Sequence, residues 1–240
     1  MAGLEDASTG KWAAPLSAAP HQLGHRERLR ARARRSLDAL PDYELLELYL
    51  FRSLPQGDVR PLAKALLARF GDLSGVLAAA PEALTTVKGV GPQVALDLKL
   101  MHEATLRIGR AEAAARPSIS SSAALLAYVK TALARAPREE FRVIFLDRKN
   151  QLIADETMNE GTVDHAPVYP REVARRALEL SASAVILVHN HPSGDPTPSA
   201  ADIDMTRQVV EAARVLKIAV HDHLVVGRDG IASFKALGLM

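Results

Sequence analysis

Apolar residues in the first half of the chain recur at helical spacing. In PDYELLELYLF (41–51), Leu45, Leu46, Leu48, Tyr49 and Leu50 form a broad apolar face, and Asp42 stands where a cap is expected. RPLAKALLARFG (60–71) repeats the pattern, with Pro61 suited to a first helical turn and Gly71 to a stop. A short helix is expected around LSGVLAAAPEAL (73–84), and a longer one from near Pro92. Strand patterning begins only at about residue 140. From there the texture alternates. FRVIFLD (141–147) and QLIADETM (151–158) predict paired strands joined by a turn at DRKN, and PREVARRALELSA (170–182) predicts a helix begun by Pro170. ASAVILVHN (182–190) reads as a buried strand, SAADIDMTRQVVEAARVLK (199–217) as a long amphipathic helix, and IAVHDHLVVG (218–227) as a further strand. GIASF (230–234) returns across GRDG as a hairpin. Strands alternating with helices imply an α/β body with a central sheet, preceded by an all-helical region.

The change of texture suggests boundaries. Residues 1–24, rich in Ala, Gly, Pro, Ser and Thr, are expected to form a mobile arm, and 25–110 a helical domain. The stretch 111–120, small residues running into Pro117 and serines, reads as a linker, leaving 121–240 as the α/β domain.

Composition narrows the class. The 240 residues are 48% hydrophobic and 24% charged, which is ordinary globular usage. The longest apolar runs, such as AVILV (184–188), are too short to span a bilayer, and no export signal opens the chain, so a soluble cytoplasmic protein is expected. There is no cysteine, which leaves His, Asp and Glu as metal ligands and removes thiol chemistry. The net charge is +2, but up to Arg116 there are 16 basic residues against 13 acidic. Six arginines fall between Arg26 and Arg35, a pattern that serves either as a solvated helix face or as a phosphate-contacting patch.

Between two predicted helices lies VKGVGP, with Gly89 and Gly91 flanking Val90. Glycines allow close backbone approach, and the amides opening the next helix carry partial positive charge. This stretch resembles a helix-hairpin-helix motif, which implies sequence-independent DNA contact through Lys88, Gly89, Val90 and Gly91. A plain helical hairpin has the same pattern.

The densest chemistry is VHNHPSGDPTPSAAD (188–202). His189 and His191, two apart at a strand end, share one face. Pro192, Pro196 and Pro198 stiffen the loop that returns to Ser199 and Asp202 at the start of a helix. Two neutral imidazoles and one carboxylate are the three ligands expected of a catalytic zinc site with one open position. Ser199 and Asp202 also fit an N-cap with an acidic first turn. A second pair, His221 and His223, lies on a predicted strand with Asp222 facing the other way. With no third ligand evident, it reads as polar strand positions near the site that could support a ligand from behind.

HNHPSGDPTPSAAD resembles the JAMM motif of MPN-domain metalloproteases. From about Arg26 to the C-terminus the chain is similar to the bacterial RadC family, through PDYELLELYLF, DVRPLAKALLARFG, VKGVGP, FLDRKNQLI, VYPREV and DHLVVG as well as the histidine loop. The resemblance implies an MPN domain with a central mixed β-sheet flanked by helices. It also implies His189, His191 and Asp202 as zinc ligands, with Ser199 steadying the oxyanion. It further implies a general-base glutamate just before the first strand. Counting back eight residues from Asp147 favours Glu139, its neighbour Glu140 remains open, and Glu156 and Glu160 are weaker alternatives. The family name is associated with DNA repair. The expected activity is zinc-dependent hydrolysis of a peptide or isopeptide bond. The alternatives are a metal-dependent DNA nuclease and a non-enzymatic DNA-binding adaptor, and substrate and oligomeric state stay open.

Overall fold

The computed structural model describes residues 20–114, 123–160 and 168–240. The expected arm lies outside them up to residue 19, as does the expected linker from residue 115. The chain divides into two compact units, Met1–Lys64 and Ala65–Met240.

The first unit holds α1 (Pro20–Arg35) and α2 (Asp42–Ser53). Asp42 is not the cap expected of it. Pro41 occupies the N-cap, and Asp42 opens the helix, where its carboxylate still complements the helix dipole. Arg26 is neither a solvated residue nor free for phosphate. It is buried, lies 4.3 Å over the Phe51 ring, and donates to the carbonyls of Leu54 and Gly57 at 2.9 and 2.8 Å. Arg32 pairs with Glu44 at 2.8 Å, and His25 with Glu47 at 2.7 Å. Arg26 and Arg32 therefore tie α1 to α2 and the segment after it.

Helix α3 (Arg60–Phe70) crosses the division. The second unit continues with α4 (Leu73–Ala78), α5 (Pro81–Thr85) and α6 (Pro92–Ala114). Asp72 caps α4 by accepting from Gly75 N at 2.7 Å and also pairs with Arg135. Lys99 closes the other end of α4, donating to the carbonyls of Leu77, Ala78 and Ala79 at 2.9–3.3 Å. Helix α6 runs to Ala114, past the start of the expected linker, because Ala111, Glu112, Ala113 and Ala114 are strong helix formers. Among the described residues no strand precedes Glu140.

After α7 (Ala123–Leu133) come β1 (Glu140–Leu146), β2 (Leu152–Glu160), α8 (Pro170–Glu179), β3 (Ala184–Asn190), α9 (Ala200–Val215), β4 (Ala219–Val226), β5 (Ile231–Ser233) and α10 (Phe234–Leu237). The sheet is mixed, in the order β2-β1-β3-β4-β5. β1 is antiparallel to both β2 and β3, β3 runs parallel to β4 with α9 as the crossover, and β5 returns antiparallel.

Every residue of β3 is buried, so its apolar run has both faces covered. Ile186 and Val188 pack with Leu125, Tyr128, Val129 and Leu133 of α7. Val185 and Leu187 pack on the opposite face with Val173 and Ala177 of α8 and Val209 and Ala213 of α9. The C-terminal end of β3 is thereby held rigidly beside the start of α9. An ionic anchor supports the α7 layer: Asp155 on β2, its side chain 2% exposed, bonds Arg142 at 3.1 Å and accepts from the Tyr128 hydroxyl. Asp155→Ala removes the carboxylate partner of the partly buried Arg142 guanidinium and is expected to lower unfolding free energy by roughly 1–3 kcal/mol, read by urea denaturation.

Candidate metal centre

The loop after β3 is folded by its own hydrogen bonds. His191 N donates to Val226 O at 3.0 Å, and Gly194, at φ +102°, closes a turn onto His191 O at 2.9 Å. Asp195 Oδ1 accepts from Thr197 N and Oγ1 at 2.9 and 2.7 Å. Arg228 donates to Ser193 O at 2.7 Å from the β4–β5 turn. Gly227 lets that turn approach: a Cβ there would lie 2.1 Å from Gly194 O.

The loop delivers the chain to α9 with a reciprocal cap. Ser199 Oγ accepts from Asp202 N at 3.2 Å and donates to Asp202 Oδ2 at 2.7 Å, while Ser199 N donates to the same oxygen at 2.7 Å. Capping thus aims the Asp202 carboxylate back at the strand end. His189 Nε2 stands 3.3 Å from Asp202 Oδ1, His191 Nε2 3.4 Å from Oδ2, and the two Nε2 atoms 3.0 Å apart. The sequence suggests both an N-cap at Ser199 with Asp202 in the first turn and a ligand role for Asp202, and a single geometry accommodates the two.

This triangle fits a small cation. Ligand atoms about 2.0–2.1 Å from a tetrahedral ion stand about 3.3 Å from one another. His191 Nδ1 lies 2.9 Å from Asp195 O, which can only accept, so that nitrogen carries the proton and a neutral ring leaves Nε2 bare. His189, His191 and Asp202 are therefore a group that can hold a metal ion. Burial pushes the Asp202 carboxyl up, but pairing with the two histidines in their protonated form outweighs it and holds the group well below the ordinary carboxylate range. The same pairing with Asp202 raises His191, and the charge of Glu139 adds to that shift.

Glu139 is half-buried ahead of β1. The Asn190 side chain, 1% exposed, grips the backbone on both sides of it, accepting from Glu140 N at 2.8 Å and donating to Arg138 O at 3.0 Å. Nothing in the sequence marked Asn190 beyond its place between the two histidines, because its partners lie some fifty residues away. Glu156 is engaged elsewhere, by Arg176 at 2.6 and 2.7 Å, and the Glu160 side chain lies outside the described residues.

The second histidine pair separates. A register shift lies opposite His221, whose Nε2 is 2.7 Å from Asn150 Oδ1 in the β1–β2 turn. His223 is fully buried behind the site, its Nε2 2.8 Å from His189 Nδ1. Burial pushes His223 well below the ordinary histidine value.

At the hairpin, Gly89 has φ +98°, Val90 is buried, and Lys88 and Gly91 are exposed ahead of α6. No described helix is long and apolar enough to cross a membrane.

A helical N-terminal region, a mixed five-stranded sheet with flanking helices and a His-His-Asp cluster at the end of β3 define a JAB/MPN-type domain. Residues 119–239, half of the chain, match the family model described as a RadC-like JAB domain, and the chain belongs to that family.

Gly227→Ala is expected to force the two turns apart, lowering unfolding free energy by about 1–3 kcal/mol in a denaturant titration.

Proposed function

We propose that this protein is a zinc-dependent hydrolase of peptide or isopeptide bonds. The observation that carries the reading is the convergence of His189 Nε2, His191 Nε2 and the Asp202 carboxylate within 3.0–3.4 Å of each other, at a rigid strand end. Zn2+ held by these three residues would polarise the scissile carbonyl and lower the pKa of a water toward neutrality.

The chain's own residues do the rest. Glu139, whose backbone Asn190 grips on both sides, takes the proton from the attacking water and passes it to the leaving nitrogen. Ser199 turns its hydroxyl from Asp202 to the oxyanion that develops on the carbonyl. A cleft of about 510 Å³, lined in part by Phe70, Arg135, Pro137, Pro192 and Arg228, adjoins the residue after His191 and offers a path for an extended chain.

The hairpin at Lys88, Gly89, Val90 and Gly91 is the proposed DNA contact. Its support is the exposed Lys88 beside a left-handed Gly89 and the amides that open α6. That association makes a phosphodiester the competing substrate.

The test is metal quantification on the full chain, followed by parallel peptide and DNA cleavage assays. Wild type is expected to carry one zinc and cleave a peptide or isopeptide substrate, while Asp202→Ala loses both. Cleavage of DNA alone overturns the peptidase reading. Glu139→Gln is expected to keep the zinc and lose about 10²–10⁴ in rate. Because His191 must be neutral to bind, zinc affinity is expected to fall as pH drops through the raised His191 pKa, measurable by chelator competition. Lys88→Glu is expected to weaken DNA binding across sequences and cut the salt slope by about 1, with zinc content unchanged.

A further inference from the structure

We infer that His223 and Thr206 are positioning residues, which link His189 to the backbone of Asp202 by an unbroken run of hydrogen bonds and hold His189 in the form whose Nε2 is bare toward the metal position. The inference rests on the metal reading above and deepens it.

The run of bonds has no gap. His189 Nδ1 lies 2.8 Å from His223 Nε2, His223 Nδ1 lies 2.6 Å from Thr206 Oγ1, and Thr206 Oγ1 donates to the main-chain carbonyl of Asp202 at 2.6 Å. His189, His223 and Thr206 are each 0–1% exposed, so water does not compete for these bonds. Phe141 stacks on His189 at 6.2 Å and meets His223 edge-on at 5.7 Å, and Phe234 covers the other side of His223 at 4.5 Å.

The partners assign the protons. A carbonyl only accepts, so the single Thr206 hydroxyl proton goes to Asp202 O, and the hydroxyl meets His223 Nδ1 as an acceptor. His223 Nδ1 therefore carries a proton. In a neutral ring its Nε2 is then the acceptor, and it takes the proton of His189 Nδ1. That leaves the lone pair of His189 on Nε2, the atom facing His191 and Asp202. A His189 ring free to choose would spend part of its time protonated on the ligand nitrogen.

Metal-bound histidines ordinarily send their second N–H to a carboxylate, a carbonyl or water. The carboxylate next to His223 in sequence, Asp222, is committed elsewhere. Its Oδ1 accepts from His223 N and Lys235 N at 2.8 and 3.0 Å, and its Oδ2 accepts from Ser233 Oγ at 2.6 Å. Asp222 thus fixes the backbone of His223, while the imidazole does the orienting. The same run of bonds ties the far ligand: Thr206 lies one turn after Asp202 on α9, so the two bonds it makes couple that turn to β4 and, through His223, to β3.

The experiment measures Zn2+ affinity of the full chain by chelator competition, and the visible spectrum of the Co2+-loaded protein, without any substrate. His223→Phe keeps an aromatic ring and loses the acceptor, and Thr206→Val keeps the shape and loses the hydroxyl. Each is expected to weaken Zn2+ binding about 10–100-fold and alter the Co2+ bands. His223→Gln, which can still accept from His189, and Thr206→Ser are expected to restore affinity to within a few-fold of wild type. A general loss of packing would not discriminate in this way, and if His223→Phe fails to fold, the Thr206→Val and Thr206→Ser pair decides. Wild-type affinity in both Thr206→Val and His223→Phe overturns the inference while leaving the metal centre intact. A wild-type chain that binds no Zn2+ overturns the metal centre and this inference with it.

Discussion

Asp202 carries two obligations with one carboxylate. As the third residue of α9 it accepts from Ser199 N and Ser199 Oγ, completing the cap that lets the helix begin where it does. The same group stands 3.3 and 3.4 Å from two imidazole nitrogens at the end of β3. Helix initiation and site assembly are thus one event: the register that satisfies the helix N-terminus is the register that brings the carboxylate to the histidines. Moving the start of α9 by a single residue would rotate the carboxylate by about 100° around the helix and break both.

The strand supplies the complementary constraint. β3 is covered on both faces, and its apolar contacts leave it no freedom to slide. Its pairing with β1 places Phe141 against His189, so the same antiparallel register that packs the sheet brings Glu139 to the neighbourhood of His191. Asn190 reinforces this by bonding the backbone on either side of Glu139. Of three consecutive residues, His189 and His191 therefore join the candidate metal cluster while Asn190 between them holds the segment before β1.

Packing of α6 with α7 sets the helical hairpin on the same compact unit as the sheet. Arg110 of α6 donates to the Tyr128 hydroxyl, which in turn bonds Asp155 of β2, and Asp72 ahead of α4 pairs with Arg135 after α7. A sequence reader sees small residues and a proline after α6 and infers a break. The contacts that cross it are made by side chains whose partners are 18 to 63 positions away.

Much was legible in the chain without coordinates. The strand and helix order beyond residue 140 followed from β-branched runs, proline starts and turn dipeptides, because those are local properties of the backbone. The candidate metal cluster was readable for the same reason, since His189, His191 and Asp202 lie within fourteen residues on a strand, a stiff loop and a helix start. The remaining features needed tertiary structure. Whether Arg26 faces water or Phe51, which of two HxH pairs clusters with Asp202, what Asn190 holds and what His189 Nδ1 meets are each settled by partners distant in sequence. Periodicity assigns a side chain to a face, but only the packed neighbours on that face determine what it bonds.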